Sequence, residues 1–386
     1  MKFLRDFDFS NKRVLVRAGF NVPLSENGKI SSDFRIKTVL PTINYLLDHK
    51  AKIILSTHFG RPNGKVMEEL RVNSIGERIS KLLNLPVKKL NDCIGSEVEE
   101  IIGKMKVGEI VLLENVQFYP GEREKAPDYI KSLASLADFF VLDAFGQAHR
   151  DYASISGLPE YLPSCAGLLL ENEIKNLSRV LDNPKPPLLV VIGGAKISTK
   201  IKVIKNFLDE GDDVVLGGAL ANTVLEAKGF TIGKSLSEEK MIEEVKKMEL
   251  TNPRLHLPVD AVVSVSISEE EANRIDAIGG TKEDEMILDI GPDSVDLFKD
   301  VISQANTIIW NGPMGYFEIK NFSSGSVEIA NAIAENPCFS IVGGGDTIVL
   351  LEQLNLLDKI DHVSTGGGAM LAFLAKEKLP GLEALN

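Results

Sequence analysis

Lys196 and Lys200 close the stretch GGAKISTK, and the residues before them give the pair its meaning. An apolar run, Leu188 to Ile192, reads as a buried strand that ends in Gly193 and Gly194. Glycines there let the backbone turn sharply and approach a ligand closely. A helix opening near this point would put the two lysines, four residues apart, on one face. Its unpaired N–H groups would attract an anion. The spacing is not that of a Walker P-loop. Taken alone, the stretch is either a phosphate site or a plain βα turn carrying solvated lysines.

The rest of the second half has the same character. Gly217-Gly218, Gly279-Gly280, Gly343 to Gly345 and Gly366 to Gly368 supply four more glycine turns. GGGDT sets Asp346 and Thr347 just after a buried strand, where a carboxylate can hold a magnesium ion shared with nucleotide phosphates. Repeated glycine turns at one sheet edge suit a large flat ligand with a phosphate tail. No strict GxGxxG occurs, which disfavours a dinucleotide enzyme. The first half gathers cations instead: Arg17, Arg35, His58, Arg61, His149 and Arg150 fall at predicted strand ends or at a helix start. Guanidinium forks match phosphate and carboxylate oxygens, so the set implies a small, multiply charged ligand. Separate surface ion pairs are the plainer alternative. An anion-grasping half and a nucleotide-like half describe a two-substrate phosphoryl-transfer enzyme.

The elements that must position these residues alternate. Strands are expected at 12–17, 53–56, 109–114 and 139–143, with helices at 72–84, 94–105 and 127–137 between them. Asp33 reads as the N-cap of an amphipathic stretch to about Lys50, kinked at Pro41. In the second half strands are expected near 188–192, 213–216, 261–265, 286–290, 307–310 and 339–342. Residues 237–250 read as a charged surface helix. Strands apolar on both faces, alternating with helices, indicate an α/β fold with mostly parallel sheets covered on both sides. Ligands then bind at the carboxyl ends of the strands, where the loops 17–23, 57–62 and 143–151 fall. One helix, 166–181, runs into the helix-breaking DNPKPP and marks the domain junction.

A chain of 386 residues exceeds what one core usually organises. Its net charge of −12 argues against a nucleic-acid or anionic-membrane binder, so any anion site must be a local basic cluster. Cys93, Cys165 and Cys338 form no metal pattern and are expected as thiols. No signal-peptide core opens the chain and no apolar run is long enough to span a membrane, so a cytoplasmic protein is expected.

Ordered along the chain, VRAGFNVP, DFRI, STHFGRP, LLENVQF, DAFGQAHR, GGAKISTK, DIGP, WNGPMGYFE, GGGDT and STGGGA together resemble the phosphoglycerate kinase family. The resemblance runs over essentially the whole chain. It implies two Rossmann-like domains: residues 1–165 for phosphoglycerate and 186–368 for nucleotide. Residues 166–185 would be the hinge, and 369–386 would pack back on the first domain. It implies a monomer that transfers a phosphoryl group reversibly between 1,3-bisphosphoglycerate and Mg-ADP, giving 3-phosphoglycerate and Mg-ATP. By motif, Arg17, Gly19, Phe20, Asn21, Arg35, His58, Phe59, Gly60, Arg61, Gln117 and Arg150 would line the acid site. Gly194, Lys196, Lys200, Gly218, Asn311, Glu318 and Gly343 to Thr347 (Gly343, Gly344, Gly345, Asp346, Thr347) would serve the nucleotide, with Asp346 facing the metal. Arg35, Lys196, Gly366, Gly367 and Gly368 would stabilise the group in transit.

Three positions depart from the family pattern: Gly19 stands for an aspartate, Gln117 for an arginine and Tyr152 for a histidine. Arg123 or Lys125 is a candidate to replace the missing cation. The departures leave open two further readings, a nucleotide-binding scaffold without activity and a kinase for another small carboxylate.

Overall fold

The computed structural model describes residues 1–25, 28–268, 270 and 272–386. Its contacts divide the chain into two compact units, Met1–Lys175 with Glu377–Asn386, and Asn176–Lys376. The chain passes from the first to the second within the helix Leu168–Asp182.

The first unit is built on β1 (Arg13–Ala18), β2 (Lys52–Ser56), β3 (Val87–Lys89), β4 (Ile110–Leu112), β5 (Phe139–Asp143) and β6 (Ser164–Ala166). All pair in parallel, in the order β3-β4-β2-β1-β5-β6. Val14 and Val16 on one face of β1 and Leu15 on the other are all fully buried, as a parallel sheet covered on both sides requires. The connection leaves β1 towards β2 on one side and returns to β5 on the other, so the crevice beyond β1 is the topological switch point. The C-terminal residues belong to this unit: Gly381 N–H donates to the Ala148 carbonyl at 2.9 Å.

The second unit carries β7 (Leu188–Ile192), β8 (Asp213–Leu216) and β9 (Leu255–His256), followed by β10 (Asp260–Ser264), β11 (Arg274–Ala277) and β12 (Met286–Ile290). It is completed by β13 (Thr307–Asn311), β14 (Phe339–Gly343) and β15 (His362–Ser364). Six of these form a parallel sheet ordered β15-β14-β13-β7-β8-β9. The strands near 261–265 and 286–290 do not join it. They form a separate antiparallel sheet, β11-β10-β12, in which the central β10 pairs with both β11 and β12. Exposure alternates along β11, whose Ile275 is 58 % exposed, so this small sheet is not covered on both faces.

Four further expectations are corrected. Asp33 does not cap the following helix; its carboxylate is taken by Lys37 and Arg78. The stretch to Lys50 is then two helices, Phe34–Lys37 and Leu40–Asp48, and Pro41 opens the second, where its missing N–H is harmless. Ala166 lies in β6, so the junction helix begins at Leu168. Residues 237–250 hold a shorter helical stretch, a 3-10 turn Glu239–Met241 running into the helix Ile242–Val245, and Glu238 just before it accepts from Ser198.

Candidate active site

In the first unit the cationic residues lie at the end of β1, on the helix Phe34–Lys37 and in the loops after β2 and β5, and hydrogen bonds tie the loops after β1 and β2 together. Phe20 N–H donates to Thr57 Oγ1 at 3.1 Å, and Gly60 N–H donates to Asn21 Oδ1 at 2.9 Å. Arg35, on the helix Phe34–Lys37, donates to the Asn21 carbonyl at 2.7 Å. Asn115 Nδ2 donates to the Phe59 carbonyl at 2.7 Å, which ties the loop after β4 to the same cluster. Asn21, Arg35, His58, Phe59 and Gly60 are thereby brought together, while the side chains of Arg61 and Arg150 stand exposed. Burial, with Arg17, Arg35 and Arg150 nearby, holds His58 well below the ordinary histidine range. Burial and Arg150 push His149 down to about 4. Both rings are therefore neutral at pH 7 inside a field of guanidinium charge.

Arg17 sits beneath this surface, fully buried, with its guanidinium bonded to Ser154 Oγ, the Ala18 carbonyl and His58 Nδ1. The departures from the family pattern are explained in part. A Cβ on Gly19 would meet only Ala144, at 3.8 Å, so there is room for a side chain that the sequence does not supply. Gln117 is buried on the turn Val116–Phe118, and its Oε1 has no hydrogen-bond partner among the described residues. Lys125 does not stand free to replace an arginine: it is paired with Asp151 and Glu160 at 3.1 and 3.2 Å. Arg123 is bonded to Asn63 Oδ1 at 2.7 Å. Tyr152 contributes its carbonyl to the turn Ala153–Gly157.

In the second unit, the parallel strands β7, β8, β13, β14 and β15 all end in glycine-rich loops at one edge. Gly194 N–H donates to the Pro313 carbonyl at 2.7 Å and Gly218 N–H to the Met314 carbonyl at 2.8 Å, so three loops interlock through their backbones. No side chain fits there. A Cβ on Gly193 would lie 2.0 Å from the Pro313 oxygen, and one on Gly312, whose φ is +98°, 2.4 Å from the Gly193 oxygen. Lys196 and Lys200 do not share a helical face. A tight turn, Ile197–Thr199, separates them, and the helix Ile201–Glu210 starts only afterwards. Lys196 is therefore exposed, while Lys200 turns inward and donates to the carbonyls of Gly193 (2.6 Å) and Asn311 (3.2 Å). Burial pushes the Lys200 ammonium down to about 8, against the opposing charge of Asp346.

Asp346 and Thr347 open the helix Gly345–Gln353. Thr347 Oγ1 accepts from Gly312 N–H at 2.8 Å. Asn311 Nδ2 is a buried donor without an acceptor among the described residues, close beside Gly344. An unmet donor costs roughly 1–3 kcal/mol, which a phosphate oxygen would recover. Among the described residues no cluster of three or more potential metal ligands occurs. A single carboxylate, Asp346, beside a buried cation and a helix N-terminus suits magnesium that arrives with phosphates rather than in a protein cage. From this edge a cavity of about 270 Å³ runs back, lined by Gly194, Gly218, Leu236, Ile278, Leu288 and Pro313, with Asp346 and Glu318 also on its wall. Gly366 to Gly368 lead from β15 into the helix Gly368–Leu374, and Gly367 adopts φ +45°.

Sequence reasoning missed the apolar wall of this cavity. Leu288 lies in β12, Leu236 on the segment before the antiparallel sheet, and Ile278 just after β11, so Gly279-Gly280 stands beside the antiparallel sheet and not at the parallel-sheet edge where the glycine pattern places it. It also missed Ser154 and Glu122, buried polar residues with no motif of their own.

Two parallel α/β units, one presenting clustered cations and the other an apolar slot ending in a phosphate cradle, define an enzyme of the phosphotransferase class. The phosphoglycerate kinase family model matches residues 4–377. The chain is 49 % identical over 388 residues to the phosphoglycerate kinase of Dictyoglomus turgidum, covering 99 % of this chain and 98 % of that protein. To that of Moorella thermoacetica it is 45 % identical over 387 residues, with the same coverages. The phosphoglycerate kinase structure from Pyrococcus horikoshii superposes with a TM-score of 0.90 at 36 % identity, and that from Coxiella burnetii with 0.84 at 40 %. Each covers 100 % of this chain and 98 % of the solved one. The chain belongs to the phosphoglycerate kinase family.

Proposed function

We propose that this chain catalyses reversible phosphoryl transfer between the acyl phosphate of 1,3-bisphosphoglycerate and Mg-ADP, yielding 3-phosphoglycerate and Mg-ATP. The observation that carries the reading is the pair of half-sites, each fitted to one substrate. Asn21, Arg35, His58, Arg61 and Arg150 hold the phosphorylated acid, with Arg17 supporting them from below. Gly19, Phe20, Phe59, Gly60 and Gln117 complete its walls. The apolar cavity takes the base, Glu318 the ribose, and the turns at Gly194, Gly218 and Gly343 to Thr347 the phosphate tail. Lys200 and Asn311 direct donors at that tail from beneath. The magnesium of the nucleotide, facing Asp346, spreads phosphate charge in the transfer.

Arg35 and Lys196 stabilise the phosphoryl group in flight, and Gly366 to Gly368 the carboxylate left behind, with no covalent enzyme intermediate. Residues 166–185, which include the helix Leu168–Asp182, are the proposed hinge between an acid-binding and a nucleotide-binding domain. The protein is read as a cytoplasmic monomer. Calorimetric titration tests the assignment of the halves. 3-Phosphoglycerate binds the wild type, and binding weakens at least tenfold in Arg35→Ala while Mg-ADP binding is unchanged. Equal weakening of both, or of neither, refutes the assignment.

A further inference from the structure

Arg17 is fully enclosed, yet its guanidinium does not meet a carboxylate face to face. Nε donates to Ser154 Oγ at 2.8 Å, Nη1 to the Ala18 carbonyl, and Nη2 lies 3.2 Å from His58 Nδ1. Proton positions along this chain follow by elimination. A guanidinium has donors and no acceptor. His58 Nδ1 must therefore offer its lone pair to Nη2–H, and the single proton of the neutral ring sits on Nε2. Ser154 Oγ accepts from Arg17 and donates its own hydrogen to Glu122 Oε1, 2.6 Å away. Glu122 Oε2 accepts from Ser154 N–H at 3.0 Å. Glu122, Ser154 and Arg17 are all 0 % exposed, so no solvent competes for these bonds. Ser154 reaches the arginine from the widened π-type turn Ala153–Gly157, a local irregularity common at functional sites.

We propose that Glu122, Ser154 and Arg17 form a positioning relay that holds His58 as its neutral Nε2–H tautomer, so that His58 meets the acid substrate as an oriented neutral donor and not as a cation. The tautomer is a property of the free protein; only the identity of the ligand rests on the function proposed above. Protonating Nδ1 would break the Arg17 contact. It would also add a cation facing Arg17 of β1, Arg35 of the helix Phe34–Lys37 and Arg150 of the loop after β5. A neutral donor recognises a phosphate or hydroxyl oxygen by direction while those arginines supply the charge.

Nitrogen NMR of histidine-labelled protein, with His58 assigned through His58→Gln, reads the tautomer directly. The wild type shows His58 protonated on Nε2 alone at neutral pH. Ser154→Ala removes the Nε acceptor but keeps the backbone bond to Glu122, and Arg17→Lys removes the fork. Either variant shows both tautomers of His58 and a KM for 3-phosphoglycerate raised about tenfold, the loss of one oriented hydrogen bond. The KM for Mg-ATP stays within twofold. An Nδ1–H ring or an ordinary histidine titration in the wild type overturns the relay, as does a folded Ser154→Ala with unchanged tautomer and KM. A wild type with the Nε2–H ring but no turnover of 3-phosphoglycerate upholds the tautomer and refutes the substrate.

Discussion

Lys200 links proton binding to nucleotide binding, and the size of the link follows from its burial. Its ammonium ordinarily loses its proton at 10.5; burial brings that down to about 8. The difference corresponds to roughly 3 kcal/mol against the charged form. The folded value lies below the unfolded one, so this cost is fully present below about pH 8 and fades as pH rises towards 10.5. A bound phosphate supplies the missing counter-charge and restores the proton. At pH 8 the free protein is about half protonated at Lys200, so Mg-ADP binding takes up about 0.5 proton. Lys200→Met keeps the stem and removes the charge. It should weaken Mg-ADP by about 10- to 150-fold, the equivalent of a charge-assisted hydrogen bond worth ~1.5–3 kcal/mol.

Calorimetry in two buffers of different ionisation enthalpy measures both quantities. Asp289 also lines the cavity and is pushed up to about 7 by burial, so the comparison between wild type and variant at pH 8 isolates the lysine. Equal proton uptake by the two proteins, or an affinity change under twofold, refutes the reasoning.

Gly312→Ala adds a Cβ at 2.4 Å from the Gly193 oxygen and 2.7 Å from Lys200 Nζ, in a left-handed backbone. It should cost about 2–4 kcal/mol, read as a lower midpoint in thermal unfolding, together with weakened nucleotide binding. Gly19→Asp, whose Cβ meets only Ala144 at 3.8 Å, should leave the unfolding midpoint within a degree or two while lowering the KM for 3-phosphoglycerate. Gln117→Arg should lower that KM by about tenfold, or ~1.5 kcal/mol, if the acid phosphate lies where the family pattern implies; kinetics unchanged by both substitutions would refute this account of the departures. Glu114 accepts from Arg71 (2.8 Å), Lys89 (2.5 Å) and the N–H groups of Val72 and Asn115. Burial alone would raise this carboxyl, but those bonds together hold it below its ordinary value. Its contribution is therefore present above the unfolded carboxyl range and is lost as pH falls through the folded value. Glu114→Gln should cost ~2–4 kcal/mol at pH 7 and flatten that acid limb in denaturant titrations.

The sheets were legible because their strands are continuous apolar runs between turn residues. Leu188–Ile192, Asp213–Leu216 and Phe139–Asp143 lie where such runs predict them. Short edge strands such as Val87–Lys89 and Leu255–His256 were not legible, because partly exposed residues there leave no apolar run. The antiparallel sheet was misassigned because β10 and β12 have the same apolar character as their parallel neighbours; only the alternation in β11 distinguishes them. At the candidate site, residue types located the cationic cluster and the glycine edge. They did not reveal that Lys196 and Lys200 point to different environments. A turn of three residues, Ile197–Thr199, decides that, and no periodicity announces it. Nor do they reveal that Arg17 faces inward, since its strand neighbours are apolar on both sides.

The two half-sites are proposed to complete a phosphoglycerate kinase reaction although Gly19 and Gln117 replace an aspartate and an arginine. Steady-state turnover of 3-phosphoglycerate with Mg-ATP, coupled to consumption of the acyl phosphate, measures this directly. Turnover should be saturable, depend on both substrates and fall at least a hundredfold in Lys196→Ala while Mg-ATP still binds. A folded wild-type protein that binds Mg-ATP but gives no 3-phosphoglycerate-dependent turnover would contradict it.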